Sequence, residues 1–507
     1  MSSVFLFTEV NMHLRSCFLK LLLCAALLFI PQGALGQGGS PEGFHQTIVE
    51  ATCTEPGYII MTDPESGASS VQSLPALGHD FSEWIADEST GKQNRTCSVC
   101  GLQEQIRIST VDEPRMPRLD LTGSLEGIGK KTKVVLEATF VGMGEQAQCY
   151  AIMTLQGHST FGYPKHNYTI RFYEDDQSVR KHKLKLKEWK KEHKFILKAN
   201  YVDLSQCRNL VCCRIWRSMV ACREHVSPRI AALPTLGTVD GFPVDVYLNG
   251  EYFGLYTMNL HKDDDLYQMK DGEQAALVIC NRQTTDESLF RGRALFASDY
   301  SSDWEIEFCG TDDTAWARDS FNDLIDFIMQ SSDTEFREQL AAHLDVDAAI
   351  DYLLFSYALG LPYSSAKDMV MLNYGDVWIP SAYDMDGAFG LDAEAGAYIS
   401  PEEFVPRKEG GIWQSGTGSL LWDRLLNSFS EQLCARYTFL RGGVLSETSI
   451  LRMIEAFTEG IPQSSFDLDR NLYPDRPIDD PDMIKQMTDY ITRRLDILDL
   501  ALEVHEQ

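Results

Sequence analysis

The stretch "VWIPSAYDMDGAFG", Val377–Gly390, carries an apolar, strand-like run into two aspartates, Asp384 and Asp386, and then turns on Gly387 and Gly390. Carboxylates beside Trp378, Ile379 and Tyr383 are costly to bury unless something positive meets them. In a strand, residues two apart share a face, which places both carboxylates on one side with Cα atoms about 6.5–7 Å apart. Such a pair suits a hard cation, because magnesium takes one or two carboxylates together with nucleotide phosphates. The same pair would also serve to cap a neighbouring helix, and residue chemistry alone leaves the two readings level.

Working outward, "QGHSTFGYPKHNYTIRFY", Gln156–Tyr173, joins two strand-like runs by a connection bounded by Gly157 and Gly162. Two glycines, Ser159, Thr160 and then Lys165 are the parts of a loop that covers a phosphate, since glycine admits an anion to the backbone and hydroxyls and N–H groups donate to it. A plain hairpin turn has the same composition. "VRKHKLKLKEWKKEHKFILK", Val179–Lys198, is a positive island in an acidic chain. It reads as a solvated face for most of its lysines, with neutralisation of a phosphate or acidic partner as the alternative.

The chain has 507 residues and a net charge of −29, so bulk charge excludes nucleic-acid binding. Residues 1–36 read as a secretory signal peptide. Arg15 and Lys20 precede the apolar run Leu21–Ile30, and Ala34-Leu35-Gly36 offers small residues for cleavage. The run is too short for a bilayer span, and no later segment is apolar enough to be one, so a secreted or surface-associated protein is expected. Residues 37–44 read as a linker. Residues 45–107 read as a separate small module, bounded by Pro114 and Pro117. "ATCTEPGY", "LPALGHDFSEW" and "RTCSVCG" resemble a cysteine repeat module of secreted Gram-positive proteins. In it Cys53, His79, Cys97 and Cys100 have the makings of one tetrahedral zinc site or, equally, of a simple disulfide. The cysteines at 207, 212, 213 and 222 look like small core residues.

From residue 118 to 503 a larger domain follows. "KVVLEATFV", "CYAIMTLQ" and "NYTIRFY" read as strands, and "FPVDVYLNGEYFGLYTMNL" as a hairpin turning at Asn249-Gly250. Helices are expected over 202–226, along the face of Phe321, Leu324, Ile325 and Ile328, after the capping box Ser332-x-x-Glu335, over 346–359 with Gly360 as the stop, and at 418–440, 446–460 and 481–503. A strand pair is expected around Val370 and Val377. Strands first and helices later predict an α+β fold with two lobes. No His-Glu-x-x-His or Gly-x-Ser-x-Gly signature points to a hydrolase.

Taken together, "LQGHSTFGYPKHNYTIRFY", "FILKANYVDLSQCRN", "VDVYLNGEYFGLYTMN" and "VWIPSAYDMDGAFG" make residues 118–503 resemble the spore-coat-protein-H (CotH) kinase family of secreted, atypical protein kinases. The resemblance implies a two-lobed kinase-like fold, ATP with Mg²⁺ or Mn²⁺, and phosphoryl transfer to Ser/Thr of an unidentified secreted or cell-surface protein. It implies that Gly157, Ser159, Thr160, Gly162, Lys165 and Arg208 bind nucleotide. Asp203, Arg208 and Asn209 would build the cleft, and Asp384 or Asp386 would bind the metal, with Lys165 facing them. One departure stands in "LGLPYSSAKDMVML". Tyr363 takes the place of the family's Asp that orients the substrate hydroxyl, and Asp368 that of its metal-holding Asn. The catalytic set is then Lys165, Asp368 and Asp386. A weakened kinase, a pseudokinase or a non-enzymatic surface-binding relative is the competing reading.

Overall fold

The computed structural model describes residues 45–502 apart from 54–56, 63–68, 75–78, 83–84, 88–91, 108–115, 158, 282–284, 297–301, 362–365, 368, 393–395 and 481. The side chains of Ser159 and Thr160, and all of Tyr363, Asp368 and the signal and linker segments, lie outside the described residues. The chain divides into two compact units, 1–112 and 113–507.

The small unit holds two three-stranded antiparallel sheets. The first is β1 (His45–Val49), β2 (Gly57–Thr62) and β3 (Ser69–Leu74); the second is β4 (Ile85–Asp87), β5 (Lys92–Thr96) and β6 (Gln103–Arg107).

The large unit is α+β. Its strand-rich first part is a closed seven-stranded barrel. The strands are β7 (Arg118–Thr122), β8 (Val134–Gly142), β9 (Glu145–Gln156), β10 (Asn167–Tyr173), β11 (Lys194–Lys198), β12 (Gly241–Leu248) and β13 (Glu251–Leu260), in the order β10-β11-β13-β12-β7-β8-β9. Alternation of buried and exposed positions, clear in β8, turns one face of each strand inward. Leu119, Leu136, Phe140, Met153, Ile170, Phe172, Phe195, Val244 and Met258 fill the interior. Asn249 and Gly250 both have positive φ, 53° and 83°, which is the twist a two-residue hairpin needs. Closure was not part of the sequence expectation. It depends on the parallel pairing of β7 with β12, Arg118–Leu121 against Asp245–Leu248.

Between β11 and β12 the chain leaves the barrel to form α1 (Arg208–Ala221), which is shorter than the 202–226 expected. The preceding turn takes up 202–207, with Asn200 and Gln206 at φ of 46° and 60°, and at the other end the helix stops at Ala221. Helix α1 packs into a second, larger core. This core surrounds an antiparallel sheet of β14 (Ala276–Cys280), β15 (Trp304–Cys309), β16 (Met369–Asn373) and β17 (Trp378–Ala382), in the order β15-β14-β16-β17. Around it lie α2 (Ala315–Gln330), α3 (Asp333–Gln339), α4 (Val346–Leu359), α5 (Leu420–Ser428), α6 (Ser430–Arg441), α7 (Glu447–Thr458), α8 (Gln463–Leu472) and α9 (Met483–Ala501). The Ser332/Glu335 capping box forms, and α4 ends on Gly360 in the left-handed conformation. Trp216, Trp304, Trp378 and Trp422 are fully buried here, with Phe321 4.6 Å from Trp304 and 5.0 Å from Trp378 between ring centroids. The core also encloses one charged cluster, in which Asp351 receives Arg223 and Arg436, each at 2.8 Å.

Candidate functional site

The site forms where the barrel hands the chain to the helical core. Strand β11 ends at Lys198, whose stem is buried in the barrel wall. Strand β17 ends at Ala382, so Asp384 and Asp386 lie beyond it rather than in it. Asp384 sits in the left-handed region at φ 57°, a conformation that Asp tolerates better than most residues. The face-sharing of a strand therefore does not bring the two carboxylates together. The turn does, and both converge on the Lys198 ammonium. Asp386 lies 2.9 Å from Nζ, and Asp384 makes a short charge-assisted hydrogen bond to it. The carboxylates keep 39% and 25% of their side-chain surface open to solvent, which leaves room for a ligand.

Three features pin this turn. Asn209, on the first turn of α1, accepts a hydrogen bond from the Met385 amide at 3.0 Å. Arg208 is fully buried and donates to the carbonyls of Ala388 at 2.6 Å and Phe389 at 3.2 Å, and to Gln486 of α9 at 2.7 Å. A Cβ at Gly390, where φ is 74°, would lie 2.3 Å from the Tyr490 ring, so only glycine lets α9 approach. Asp203 holds the arrangement from below. Its carboxylate accepts from the amides of Ser205 and Arg208 at 3.1 and 3.0 Å and lies 3.3 Å from the Arg208 guanidinium. It does for the start of α1 what a capping side chain does, since Cys207 offers no cap of its own.

The electrostatics follow from this crowding. Burial lowers Lys198, but Asp384 and Asp386 outweigh it, and its pKa ends well above the ordinary lysine range. Burial works against Asp384 too, yet Lys198, with Lys367 and Lys262 farther off, holds its carboxyl below the ordinary value. For Asp386, burial prevails over Lys198 and pushes it up to about 6, with the neighbouring Asp384 charge adding to the rise. Two carboxylates thus share one ammonium, with two further lysines acting on Asp384 from farther off, a composition suited to a cation bridged to phosphate.

Lys165, expected to face the aspartates, is committed elsewhere, and this corrects the geometry anticipated from sequence. Its ammonium is fully buried, 2.8 Å from Asp469 of α8, and donates to the Leu255 carbonyl of β13 between the rings of Tyr256 and Tyr473. Gly254 has no side chain to keep them apart: its Cβ would meet Asp469 at 3.1 Å and the Lys165 stem at 3.2 Å. Asp469 in turn pairs with Arg476, which donates to the Tyr201 carbonyl at 2.9 Å. Burial brings Lys165 down to about 8 against the opposing pull of Asp469. Arg208, expected on nucleotide, is likewise spent on loop carbonyls. The residue that sequence reading passed over is Lys198. Its signal was present, as the last lysine of the basic run and the only one placed just after "FIL" in a motif already singled out. Within that run Lys187 pairs with Asp240 at 2.6 Å and Lys194 with Asp263 at 2.8 Å, as a structural face would.

The glycine-bounded connection does turn on Gly157, at φ 103°, and on a single 3₁₀ turn, Ser159–Gly162. Tyr163 behind it meets the Tyr201 ring at a tilt of 32°, with centroids 4.9 Å apart. Both belong to a small apolar cluster with Val202, Leu391 and Met483, which ties this loop to the turn before α1, to the segment after the aspartates and to the start of α9. In the small unit, Cys53, His79, Cys97 and Cys100 place one ligand atom each within 4.8 Å of one another, a group fit to hold a metal ion.

A family model described as CotH kinase protein matches residues 153–498, most of the chain. The chain belongs to the CotH kinase family. Membership suggests a protein-kinase-like activity, with nucleotide, a divalent metal and a protein substrate in general terms. No curated protein matches the chain. Among the described residues no helix is long and apolar enough to cross a membrane.

Proposed function

We propose that this chain is a secreted, atypical protein kinase that transfers the γ-phosphoryl group of ATP to Ser or Thr of extracellular or surface proteins. The observation that carries the reading is the convergence of Asp384 and Asp386 on one ammonium at the junction of barrel and helical core. In this reading the barrel and the helical core are the two lobes of a kinase-like fold. Asp384 and Asp386 would hold Mg²⁺ or Mn²⁺, and the Lys198 ammonium beside them would meet the phosphates. The metal supplies charge neutralisation and orientation of the phosphates. Arg208, Asn209 and Asp203 hold the aspartate turn in place, and the glycine-bounded loop 157–162 covers the nucleotide. Asp368, which stands in the sequence where the resemblance puts the family's metal-holding Asn, would serve the same cation.

The competing reading, nucleotide binding without transfer, is favoured by Tyr363 at the position of the family's substrate-orienting Asp. Thermal shift with ATP and Mg²⁺ or Mn²⁺, followed by labelled-ATP autophosphorylation, separates the two. Metal-dependent stabilisation with label transfer supports the kinase. Stabilisation without transfer supports the pseudokinase, and no stabilisation by ATP in either metal removes both.

A further inference from the structure

We propose that residues 45–107 form a zinc-dependent fold, with one Zn²⁺ held by Cys53, His79, Cys97 and Cys100. The four ligand atoms lie within 4.8 Å of one another, and two of the pairs stand close to the separations a tetrahedral site requires. Sulfurs on one zinc are about 3.8 Å apart, and a sulfur and an imidazole nitrogen about 3.6 Å, from bond lengths near 2.3 and 2.0–2.1 Å. Here Cys53 Sγ and Cys97 Sγ are 3.7 Å apart, and Cys100 Sγ and His79 Nδ1 are 3.3 Å apart. A disulfide would bring two sulfurs to about 2.05 Å, and all four residues' geometry instead keeps every cysteine free. Three thiolates and one imidazole are a donor set that selects zinc over hard cations.

The backbone around the cluster is built to present it. The Cys97 amide donates to the Leu102 carbonyl at 2.8 Å and the Gly101 amide to the Cys97 carbonyl at 2.9 Å, with Gly101 at φ 73°, so Cys97–Gly101 is a tight knuckle. A β-bridge between Phe81 and Cys97 sets the His79 segment beside it. Asp80 locks the two together: its carbonyl accepts from the Ser98 amide at 2.7 Å and its carboxylate from the Ser98 hydroxyl at 2.6 Å.

The second argument is energetic. Among the described residues of this unit the buried apolar side chains are Cys53 and Cys97 alone, while Ile48, Val49, Ile85, Val99 and Leu102 are exposed. None of its residues belongs to the three apolar clusters. Two small sheets that show no apolar core among the described residues offer little to offset the entropy of ordering the chain, and in small domains a metal or disulfide does so instead. The ion therefore supplies folding free energy here, and the unit is ordered only when loaded.

The test uses the full chain, purified under reducing conditions and dialysed. Metal analysis should give one zinc per chain in wild type and none in Cys97→Ser or Cys100→Ser. Hydrogen exchange should show protection across 45–107 lost on stripping with a strong chelator and regained with Zn²⁺, while 116–502 stays protected throughout. Because the variants would lose the fold of this unit, Co²⁺ substitution of wild type is the independent readout, with tetrahedral d–d bands and thiolate charge transfer expected. An octahedral cobalt spectrum, absence of stoichiometric metal, or protection that survives chelation through a Cys53–Cys97 disulfide would overturn the proposal.

Discussion

The Lys198 ammonium stands where a cation belongs, between Asp384 and Asp386, and this makes the site's behaviour calculable residue by residue. Removing it by Lys198→Met leaves two carboxylates facing each other without compensation. Free Mn²⁺ should then bind roughly tenfold tighter or more, about 1.4 kcal/mol, because the competing internal cation is gone. ATP should bind more weakly, because the phosphates lose their ammonium. Calorimetric titration of Mn²⁺ with and without nucleotide reads both signs, and a variant that weakens both equally would show that Lys198 merely supports the fold. A second residue offers a pH signature away from the site. His193 is buried beside Tyr173, and burial, reinforced by Lys181 and Lys183, lowers it to about 4. In the unfolded chain histidine titrates near 6.5. Between those values the unfolded state takes up a proton that the folded state refuses, so stability is full above about pH 6.5 and falls as the pH drops toward 4. The slope from this group is at most roughly 1.4 kcal/mol per pH unit. Urea midpoints at pH 7 and pH 4.5 should differ more for wild type than for His193→Gln.

At the scale of elements, α8 is fastened to the barrel through Lys165, Asp469 and Arg476, a buried charged group rather than a ligand-binding one. Lys165→Met should leave Asp469 with one fewer partner and destabilise the fold by about 3–5 kcal/mol, as breaking a buried pair does. Nucleotide affinity of the molecules that remain folded should change little. If thermal stability holds and ATP affinity collapses, Lys165 belongs to the site after all. The same lysine shows what a sequence can and cannot display. Its loop has the glycines, hydroxyls and lysine of a phosphate loop, but its partner is 304 positions away, and no local pattern announces that Asp469 will claim it. Lys198 was hidden for the converse reason: it ends a lysine run, and its partners lie 186 and 188 positions on. Strands and caps were legible because their causes are local, as in the alternation of β8, the Asn249-Gly250 turn and the Ser332/Glu335 box. Barrel closure was not, since β7 meets β12 across more than a hundred residues.

For the molecule as a whole, two compact units with separate means of stabilisation predict separable behaviour. The large unit has its own extensive cores, so a chain beginning near Pro114 should fold and melt within a few degrees of the large-unit transition of the full chain. Differential scanning calorimetry of both checks this, and failure of the shorter chain to fold would show that residues 45–107 complete the larger fold. The aspartate pair, by contrast, depends on the whole large unit. Lys198 comes from the barrel, Asn209 and Arg208 from α1, the turn from the end of β17, and Gln486 and Tyr490 from α9. That assembly is the reason for assigning chemistry to it. The most direct test is transfer of labelled γ-phosphate from ATP to a generic protein acceptor, in Mg²⁺ and then in Mn²⁺, by wild type and by Asp386→Asn. The account predicts metal-dependent labelling by wild type, slow because of Tyr363, and a fall of about a hundredfold or more in the variant, comparable to the loss of one electrostatic stabiliser of a transition state. Labelling of equal extent by the two proteins, or none by wild type in either metal, would contradict it.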